Sequence, residues 1–454
     1  MYDNCVNRPL KIFFSGIAGS GVSAIADFMS ARGNIVTGSD RAFDIKPDHH
    51  LKKLFLSRGI TLSPQDGSGL DSSIDLAVFS TAIEPNHPEA VRARELCITC
   101  KTRPEYLTEI TDSFKTIAVA GTSGKSTSSG MLAYLMRALG LSPNFIGGGR
   151  VKSLQKDGSS SNALSGSSDY LVIEACESDG SIIHYKPEVS ILLNLALDHH
   201  VVEKTSEMLK VLIGKTKKSS IMNADDSNLS GLLQKDMITF SIHSPSQYRA
   251  CDIVRKAFSS EFTVHDVRFN LNLPGQYNIY NALSCIALLA EMDIDLRMIA
   301  KMLPGFQGIE RRFDVHVHDG KRLVIDDYAH NPHKIAALME TTKNLRDRIC
   351  YIFQPHGFGP TRMMKKEYID TFAENLRPVD HLIILPIFYA GGSVSRDISS
   401  NDLAEGIRTS GRSAEDIENR EEILGKSKEW DSYVVLGARD DTLSDFAKKL
   451  ANAM

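Results

Sequence analysis

The chain has 454 residues, of which 42% are hydrophobic and 24% charged, and its formal net charge is -4. At roughly 150 residues per domain, this length predicts two or three domains with more than one core. The weakly acidic balance argues against nucleic acid or a membrane surface as a partner, and no apolar run reaches the roughly 20 residues that span a bilayer. Seven cysteines without even spacing indicate a reducing compartment, so we expect a cytoplasmic protein.

The first block of the chain alternates short apolar strands with helical patterns. The strand KIFFS leads into the small-residue turn GIAGSG and a helix, and a second strand ends at Asp40. Because strands and helices continue to alternate, the pattern predicts a doubly wound α/β domain with parallel strands.

The turn GIAGSG resembles the dinucleotide fingerprint G-x-G-x-x-G, with Ala18 at the second glycine position and one additional glycine. A small-residue turn before a helix N-terminus is suited to a diphosphate, and Asp40 is placed to accept hydrogen bonds from a ribose. The alternative is a tight turn that only joins strand to helix. The candidate substrate-binding residues of this block are Gly16, Ala18, Gly19, Ser20, Gly21 and Asp40.

A second block opens with the strand IAVA, the segment GTSGKST and a helical pattern. In such a phosphate loop, backbone N–H groups converge on phosphate oxygens, a lysine adds positive charge and a hydroxyl ligates Mg2+. Val119 occupies the first glycine position of the usual G-x-x-x-x-G-K-[ST] pattern, so this is a shortened variant. A turn that only caps the helix would leave the lysine unexplained. The predicted nucleotide-triphosphate site is Gly121, Thr122, Ser123, Gly124, Lys125, Ser126 and Thr127, with Ser126 or Thr127 as the metal hydroxyl.

Polar residues follow the next two strands of this block. Glu174 ends the strand YLVIEA, and Asn194 and His199 follow the strand VSILL. Asn194 is the candidate substrate-binding residue of this block. The carboxyl ends of parallel strands form the edge where open α/β sheets bind ligands. Since Mg2+ keeps several waters, one carboxylate and one hydroxyl of the phosphate loop are sufficient to hold it. The alternatives are a solvated acidic loop in EACESDGS and a structural histidine.

The third block, from about Phe313, repeats the order strand, loop, helix and is also α/β. Arg311 and Arg312 precede it, and two arginines there are suited to neutralise a transferring phosphate, to hold a carboxylate or to form an interdomain salt bridge. His330 and Asn331 form a polar loop after the strand LVID, compatible with stacking on a nucleotide base.

These motifs, taken together and in this order, resemble the Mur ligase family of cell-wall synthesis. The segments that carry the resemblance are GIAGSGVSAIA, TGSD, FSTAIEPNHPEAVRARE, GTSGKST, EACESDGS, LDH, PGQYNIYNAL, ERRFD, DDYAHNP and FQPHGFGPTR. The resemblance implies a UDP-sugar-binding Rossmann-like domain at residues 1–108, a central P-loop ATPase domain at 109–312 and a C-terminal α/β domain at 313–454.

The resemblance, which is strongest to the alanine-adding members, also implies a reaction. ATP phosphorylates the carboxylate of UDP-N-acetylmuramate, the amine of L-alanine attacks the acyl phosphate, and a peptidoglycan precursor results. ATP and Mg2+ are the implied cofactors, and a monomer or weak homodimer is expected. Mapped onto this sequence, the catalytic residues are Lys125, Glu174, His199 and Arg312; the metal ligands are Ser126 or Thr127, Glu174 and His199; Asn281 and Arg312 contact ATP; and Asp327 and His330 face nucleotide and amino acid.

The sequence departs from the family pattern at several of these motifs. The phosphate loop has Ser123 and Ser126 where the family usually has a histidine and a threonine. Cys176 stands where the family usually has an aspartate. Where the family usually has H-R-Y-S-R-T-R, this chain has Gly357 and Pro360 and keeps only the arginine Arg362. We therefore expect either that Arg362 or Arg396 replaces the lost charges, or that the acceptor is a peptide or another amino acid. A non-catalytic nucleotide-binding Mur-like protein is a further alternative, against which the retained Lys125, Glu174, His199 and Arg312 argue.

Overall fold

A computed structural model describes residues 8–45, 49–157, 161–197, 200–389 and 394–454. The chain divides into two compact units. The first is Met1–Val254 with Glu261–Asn272 and Asn278–Gln307, and the second is Arg255–Ser260 with Leu273–Tyr277 and Gly308–Met454. Both units are α/β, which confirms the predicted fold class.

The first sheet has five parallel strands in the order β3-β2-β1-β4-β5. Its strands are β1 Lys11–Ser15, β2 Ile35–Ser39, β3 Thr61–Ser63, β4 Leu76–Phe79 and β5 Thr99–Thr102. Its helices are α1 Ser20–Ala31, α2 Arg41–Ile45, α3 His50–Ser57, α4 Pro88–Glu95 and α5 Arg103–Asp112. The order reverses at β1, so the turn after β1 lies at a topological switch point, where doubly wound sheets bind ligands.

The second sheet of the first unit has eight strands in the order β13-β12-β11-β10-β6-β9-β7-β8. These are β6 Lys115–Ala120, β7 Asn144–Ile146, β8 Ala163–Leu164, β9 Tyr170–Glu174, β10 Val189–Leu192, β11 Ser219–Asn223, β12 Ile238–Ser241 and β13 Tyr248–Arg249. The helices are α6 Lys125–Ala138, α7 Val202–Lys215, α8 Gln276–Glu291 and α9 Leu296–Met302. A separate three-stranded sheet follows in the chain: β14 Cys251–Arg255, β15 Ser260–Val264 and β16 Val267–Leu271.

The two large sheets of the first unit share one apolar core. Phe14, Ile25 and Tyr106 from the first sheet and its helices belong to the same buried cluster as Ile173 and Tyr185 from the second. Strand β6 is buried from its second residue onward because helices cover both faces of a parallel sheet. This continuous core fixes the carboxyl ends of the two sheets relative to each other.

The second unit contains a six-stranded sheet in the order β17-β18-β22-β19-β20-β21. Its strands are β17 Asp314–His318, β18 Leu323–Asp327, β19 Cys350–Gln354, β20 His381–Ile384, β21 Ala414–Asp416 and β22 Ser432–Gly437. Its helices are α10 Pro332–Thr342, α11 Phe358–Met363, α12 Lys365–Asn375, α13 Ser400–Thr409, α14 Glu421–Gly425 and α15 Thr442–Ala453. Strand β17 alone runs antiparallel, because a short turn joins it to β18.

Residues 147–169 are rich in glycine and serine, a composition typical of a loop. Where the structure describes them, they include a 3-10 helix at Lys152–Asp157 and strand β8, which pairs with β7. None of the described helices combines the length and the apolar character needed to cross a bilayer.

Candidate functional site

The phosphate loop joins β6 to α6 at the carboxyl edge of the second sheet. Gly121 has φ +138° and Gly124 has φ +88°, values that side-chain-bearing residues rarely adopt. A Cβ at Gly124 would also collide with the side chain of Asn281. The two glycines therefore give the loop both its shape and its close approach to α8, and α6 begins directly at Lys125.

Lys125 is the charged centre of the loop. Its Nζ donates to the carbonyl of Gly121 at 2.5 Å and to the two carboxylate oxygens of Glu177 at 2.8 and 3.1 Å. Burial lowers the pKa of Lys125, but the nearby Glu177 carboxylate outweighs that effect, so the pKa is raised overall. The ammonium group is therefore charged at neutral pH and is held at the start of α6, where an anion binds most favourably.

Ser126 and Glu174 form a pair of oxygen ligands beside the loop. Glu174 ends β9, which pairs with β6 so that Glu174 lies opposite Val119. The Ser126 hydroxyl donates to Glu174 Oε2 at 3.1 Å, and the N–H of Gly148 donates to Oε1 at 2.6 Å. This hard-oxygen donor set fits Mg2+, and Ser126 is better placed than Thr127, which is 8% exposed. The described residues contain no group of three or more His, Cys, Asp or Glu that could hold a metal.

Two asparagines fix the loop from neighbouring elements. The side chain of Asn194 accepts from the N–H of Ser123 at 2.8 Å and donates to its carbonyl at 2.9 Å. Asn281 on α8 accepts from the Ser128 hydroxyl at 3.1 Å. Asn194, predicted as a substrate residue, thus bonds the loop backbone in this structure. His199 lies outside the described residues.

The glycine turn after β1 has the shape expected of a diphosphate site. Gly16 has φ +76°, and a Cβ there would lie 2.8 Å from Cβ of Ser80. Asp40 Oδ2 accepts the N–H of Ala18 at 2.8 Å, and Oδ1 accepts the N–H of Ala42 at the same distance. Asp40 was predicted to bind a ribose. In the structure, each of its carboxylate oxygens already accepts one backbone hydrogen bond and so orders the turn. Only the second lone pair of each oxygen is left for a ligand. Gly19 is the N-cap of α1, and Ser20 and Gly21 are its first two residues.

Sequence reasoning missed a buried carboxyl group behind this turn. Glu89 of α4 is fully buried and accepts hydrogen bonds from the hydroxyls of Ser15 and Ser39, the last residues of β1 and β2. Burial raises the pKa of Glu89, and the two serine hydroxyls oppose that shift. The signal available in the sequence was the segment HPE, which places an acid in the first turn of a helix beside the carboxyl edge of the sheet.

In the second unit, Arg311 and Asp327 order the segment around Arg312. Arg311 has φ +57°, its Nη2 donates to the carbonyl of Gly437 at 2.8 Å, and its Nε lies 3.5 Å from Asp326 Oδ2. Asp327 accepts the N–H groups of Phe313 and Ala329, each at 2.7 Å. Burial raises the pKa of Asp327, with the Arg312 charge and these two bonds opposing it. Asp327 therefore supports the backbone on either side of the loop.

Arg312 and His330 lie beside Tyr328. The guanidinium carbon of Arg312 is 4.6 Å from the centre of the Tyr328 ring. Nδ1 of His330 is 2.8 Å from the carbonyl of Tyr328, and the His330 ring packs edge-on against Tyr328 and His356. Asn331, predicted to lie in a polar loop, is 1% exposed and caps α10 by accepting the N–H of Lys334.

Comparison with known proteins identifies the chain. Residues 11–115 match the model for the Mur ligase family catalytic domain, residues 119–289 the Mur ligase middle domain, and residues 311–439 the glutamate ligase domain of Mur ligases. The chain is 31% identical over 98% of each sequence to a UDP-N-acetylmuramate–L-alanine ligase of Persephonella marina, and 32% identical to one of Ruthia magnifica over 92% of this chain and 91% of that one. The chain belongs to the Mur ligase family.

Solved structures agree with this membership. The UDP-N-acetylmuramate-alanine ligase of Thermotoga maritima matches over 98% of each chain with a TM-score of 0.80 and 25% identity. A murein peptide ligase of Psychrobacter arcticus has the same fold, with a TM-score of 0.71 at 22% identity over 98% of each chain. The predicted class of the protein, an ATP-dependent ligase of the Mur family in peptidoglycan synthesis, is confirmed.

One departure from the Mur ligase pattern, at Gly357, lies where the backbone has a positive φ. Gly357 has φ +70°, and a Cβ there would lie 3.2 Å from Cδ of Pro360. Arg362 forms an ion pair with Asp397 and donates to the carbonyl of Ser395 at 3.0 Å. The backbone at Gly357 therefore favours glycine, and Arg362 is already paired with Asp397.

Arg396 is placed differently from Arg362. Its guanidinium carbon lies 5.7 Å from the ring centre of Phe358 and 5.0 Å from that of Tyr389, and these two rings are 5.4 Å apart. Among the described residues it has no acidic partner. Arg396 is therefore a cation held on two aromatic rings beside Gly357, with its hydrogen-bond donors available.

Proposed function

We propose that this Mur ligase joins L-alanine to UDP-N-acetylmuramate with ATP as phosphoryl donor and Mg2+ as metal. The substrate assignment is supported by the named relatives, which match over nearly the whole chain. The observation that carries the proposal is the phosphate loop, in which a charged Lys125 and the Ser126–Glu174 pair lie at one sheet edge. In the proposed reaction the sugar carboxylate takes the γ-phosphoryl group, and the amine of L-alanine then displaces phosphate from the acyl phosphate.

Within the first unit, each loop residue has a role that follows from its geometry. Lys125 offsets negative charge as the phosphoryl group moves, and Glu177 keeps the lysine in place before the nucleotide arrives. Ser126 and Glu174 hold the metal, and Asn194 and Asn281 fix the loop. Bound Mg2+ would supply further neutralisation of the phosphate oxygens and a template for their orientation. His199 remains a predicted metal ligand.

Within the second unit, Arg312, Asp327 and His330 are the proposed contacts to nucleotide and amino acid. Asp327 acts by ordering the backbone around Arg312. Arg396 is the proposed replacement for the arginines that the family pattern has at positions 357 and 360, because Arg362 already forms an ion pair with Asp397. The geometry at Gly357 and Pro360 therefore favours a compensated alanine-adding site over a site for a different acceptor.

An isotope-transfer experiment tests this function. UDP-N-acetylmuramate labelled with heavy oxygen in its carboxylate is incubated with the enzyme, ATP, Mg2+ and L-alanine, and the released phosphate is analysed by mass spectrometry. One labelled oxygen is expected in each phosphate, because the acyl oxygen leaves with the phosphoryl group. Released phosphate without the label would contradict the acyl-phosphate route. Undiminished turnover in excess chelator would contradict the metal requirement.

A further inference from the structure

A cavity of about 240 Å³ opens at the amino edge of the six-stranded sheet in the second unit. Of the residues that line it, His381 is the first residue of β20 and Tyr433 is the second residue of β22. Asp327, a proposed contact of the ligase site, is the last residue of β18, which runs parallel to β22. The cavity therefore lies at the edge of the sheet opposite to Asp327. Sites for drug-sized ligands measure roughly 300–1,000 Å³, so this cavity suits a smaller metabolite.

The floor of the cavity is apolar and preformed. Ile383 of β20, Ile423 of α14 and Tyr433 of β22 are buried residues that line it. The Tyr433 hydroxyl donates to the carbonyls of Lys426 and Ser427 at 3.3 and 3.2 Å. Because these two bonds tie the segment that follows α14 to the sheet, the shape of the cavity does not depend on a ligand.

Trp430 forms an aromatic wall beside this floor. Its ring lies nearly parallel to that of His381, with the ring centres 5.9 Å apart and an interplanar angle of 16°. The guanidinium carbon of Arg348 is 4.8 Å from the centre of the Trp430 ring, and Arg348 Nη2 donates to the carbonyl of Glu429 at 2.9 Å. Trp430 is the only tryptophan of the chain, so tryptophan fluorescence reports directly on this cavity.

Charges of both signs surround the apolar floor. Oε1 of Glu415 lies 3.2 Å from Nε2 of His381, and Nδ1 of His381 lies 2.7 Å from the Ser413 hydroxyl. Within the described part of the chain, Oε2 of Glu415 has no hydrogen-bond partner, and the charged groups of the exposed lining residues Lys426 and Glu429 form no ion pair. A small molecule with an ammonium group and a carboxylate on an apolar body would find an opposite charge for each group and an apolar surface between them.

We propose that this cavity is a binding site for a free α-amino acid with a branched apolar side chain. Glu415 binds its ammonium group, Lys426 binds its carboxylate, and its side chain packs on Ile383 and Ile423 beside Trp430. The site is separate from the acceptor site of the ligase reaction. The inference goes beyond the proposed function, and it holds whichever acceptor the ligase uses.

Fluorescence titration of the full-length chain tests this site. L-leucine is the probe, isoamylamine is the same molecule without its carboxylate, and isocaproate is the same molecule without its amine. Glu415→Gln and Lys426→Met each remove one of the two charges. Glu418→Gln and Lys428→Met are the matched controls, because these exposed residues lie close by in the chain and do not line the cavity.

We expect L-leucine to change the emission of Trp430 saturably, and each analogue to bind about tenfold more weakly because it lacks one charged contact. Glu415→Gln and Lys426→Met are each expected to weaken L-leucine binding by about tenfold, and the two controls to match the wild type.

Three results would overturn the inference. The first is the absence of a saturable change up to the solubility limit of L-leucine. The second is binding of either analogue as tight as that of L-leucine, a comparison that uses the wild type and so does not depend on the folding of a variant. The third is an equal loss of binding in the lining variants and their controls. Because the readout is binding and not turnover, none of these results bears on the proposed function.

Discussion

Lys125 carries its charge in a largely buried position because Glu177 balances it. The two side chains are 13% and 5% exposed, and their charged atoms approach to 2.8 Å. The motif GTSGKST predicted the lysine, but no local pattern pointed to Glu177 as its partner. Breaking a buried ion pair leaves an uncompensated charge, so the loop serves stability as well as binding.

The first prediction separates those two roles of Lys125. Lys125→Ala is expected to abolish ATP-dependent turnover and to lower the free energy of unfolding by on the order of 3 kcal/mol, because the Glu177 carboxylate is left buried and unpaired. The double variant Lys125→Ala with Glu177→Gln removes that charge and is expected to regain most of the stability without regaining activity. Phosphate-release assays and urea unfolding measure the two quantities. Substantial turnover in either variant would contradict the assignment of the loop.

A second prediction concerns pH and Glu89. Its folded-state pKa is raised above the ordinary value of 4.5, so the folded protein binds this proton more tightly than the unfolded chain. Its destabilising effect is absent below 4.5 and grows as pH rises towards the raised folded value. The stability gained by Glu89→Gln over the wild type should therefore increase with pH across that window and then level off. Glu95→Gln, on the exposed side of α4, should show no such pH-dependent gain in urea unfolding. A gain from Glu89→Gln that does not change with pH would contradict the shift.

A third prediction concerns the arginines near Gly357. Arg362 already forms an ion pair with Asp397. We therefore expect Arg396→Ala to lower kcat/KM with L-alanine by about tenfold or more, and Arg362→Ala to have the smaller effect. Steady-state kinetics with L-alanine and with rival amino acids and peptides compare the two variants. Wild-type efficiency with L-alanine in Arg396→Ala would show that this residue does not replace the lost charges.

Several site residues could not be predicted because their partners are distant in sequence. Asn194 was expected at the substrate, whereas its side chain bonds the backbone of Ser123. Glu89 and Asp179 were not singled out as partners of Ser15 and Arg103, since only the folded sheet edges bring these pairs together. A motif identifies the residue types that a site needs, and tertiary packing decides which polar group completes each one.

At the scale of elements, the turn before α11 has a backbone that favours glycine at the position where the family pattern has arginine. Gly357 has φ +70° and faces Pro360, whereas Gly359 inside the same helix has open space around its Cα. Gly357→Arg, which restores the family residue, is expected to destabilise the protein by about 1–3 kcal/mol and to give no gain in activity. Gly359→Ala is the matched control and is expected to stabilise it by roughly 0.5–1 kcal/mol. Thermal unfolding measures both, and a stable, more active Gly357→Arg would contradict the structural reason given for the loss.

The buried parallel strands were predictable, and several strands that are not continuously buried were not. Segments such as KIFFS and YLVIEA are continuous apolar runs and form β1 and β9. Strands β14 to β16 and β17 alternate buried and exposed residues or lie mostly exposed, so their sequences do not stand out from loops. The sequence pattern therefore located the elements that carry the site and missed those at the periphery.

At the scale of the whole molecule, the order of the motifs along the chain indicated both the family and the fold class. The three family models follow one another along the chain, while contact between residues divides it into two compact units, the first with two large sheets on one shared core. The domain boundaries at residues 108 and 312 and the expected monomer or weak homodimer remain predictions. The apolar core that the two large sheets share was not predictable, because its residues come from distant segments of the chain.

The central claim is that this chain couples ATP hydrolysis to the joining of L-alanine and UDP-N-acetylmuramate. The most direct measurement is of ADP formation by the full-length protein with the sugar nucleotide and a panel of amino acids and peptides. The mass of each product is determined by mass spectrometry. We expect sustained ADP formation, beyond one equivalent per enzyme, only when both UDP-N-acetylmuramate and an acceptor are present. L-alanine should give the highest kcat/KM, and one amide product should form per ADP. Sustained ADP formation without the acceptor, or a clear preference for a peptide over L-alanine, would contradict the assignment.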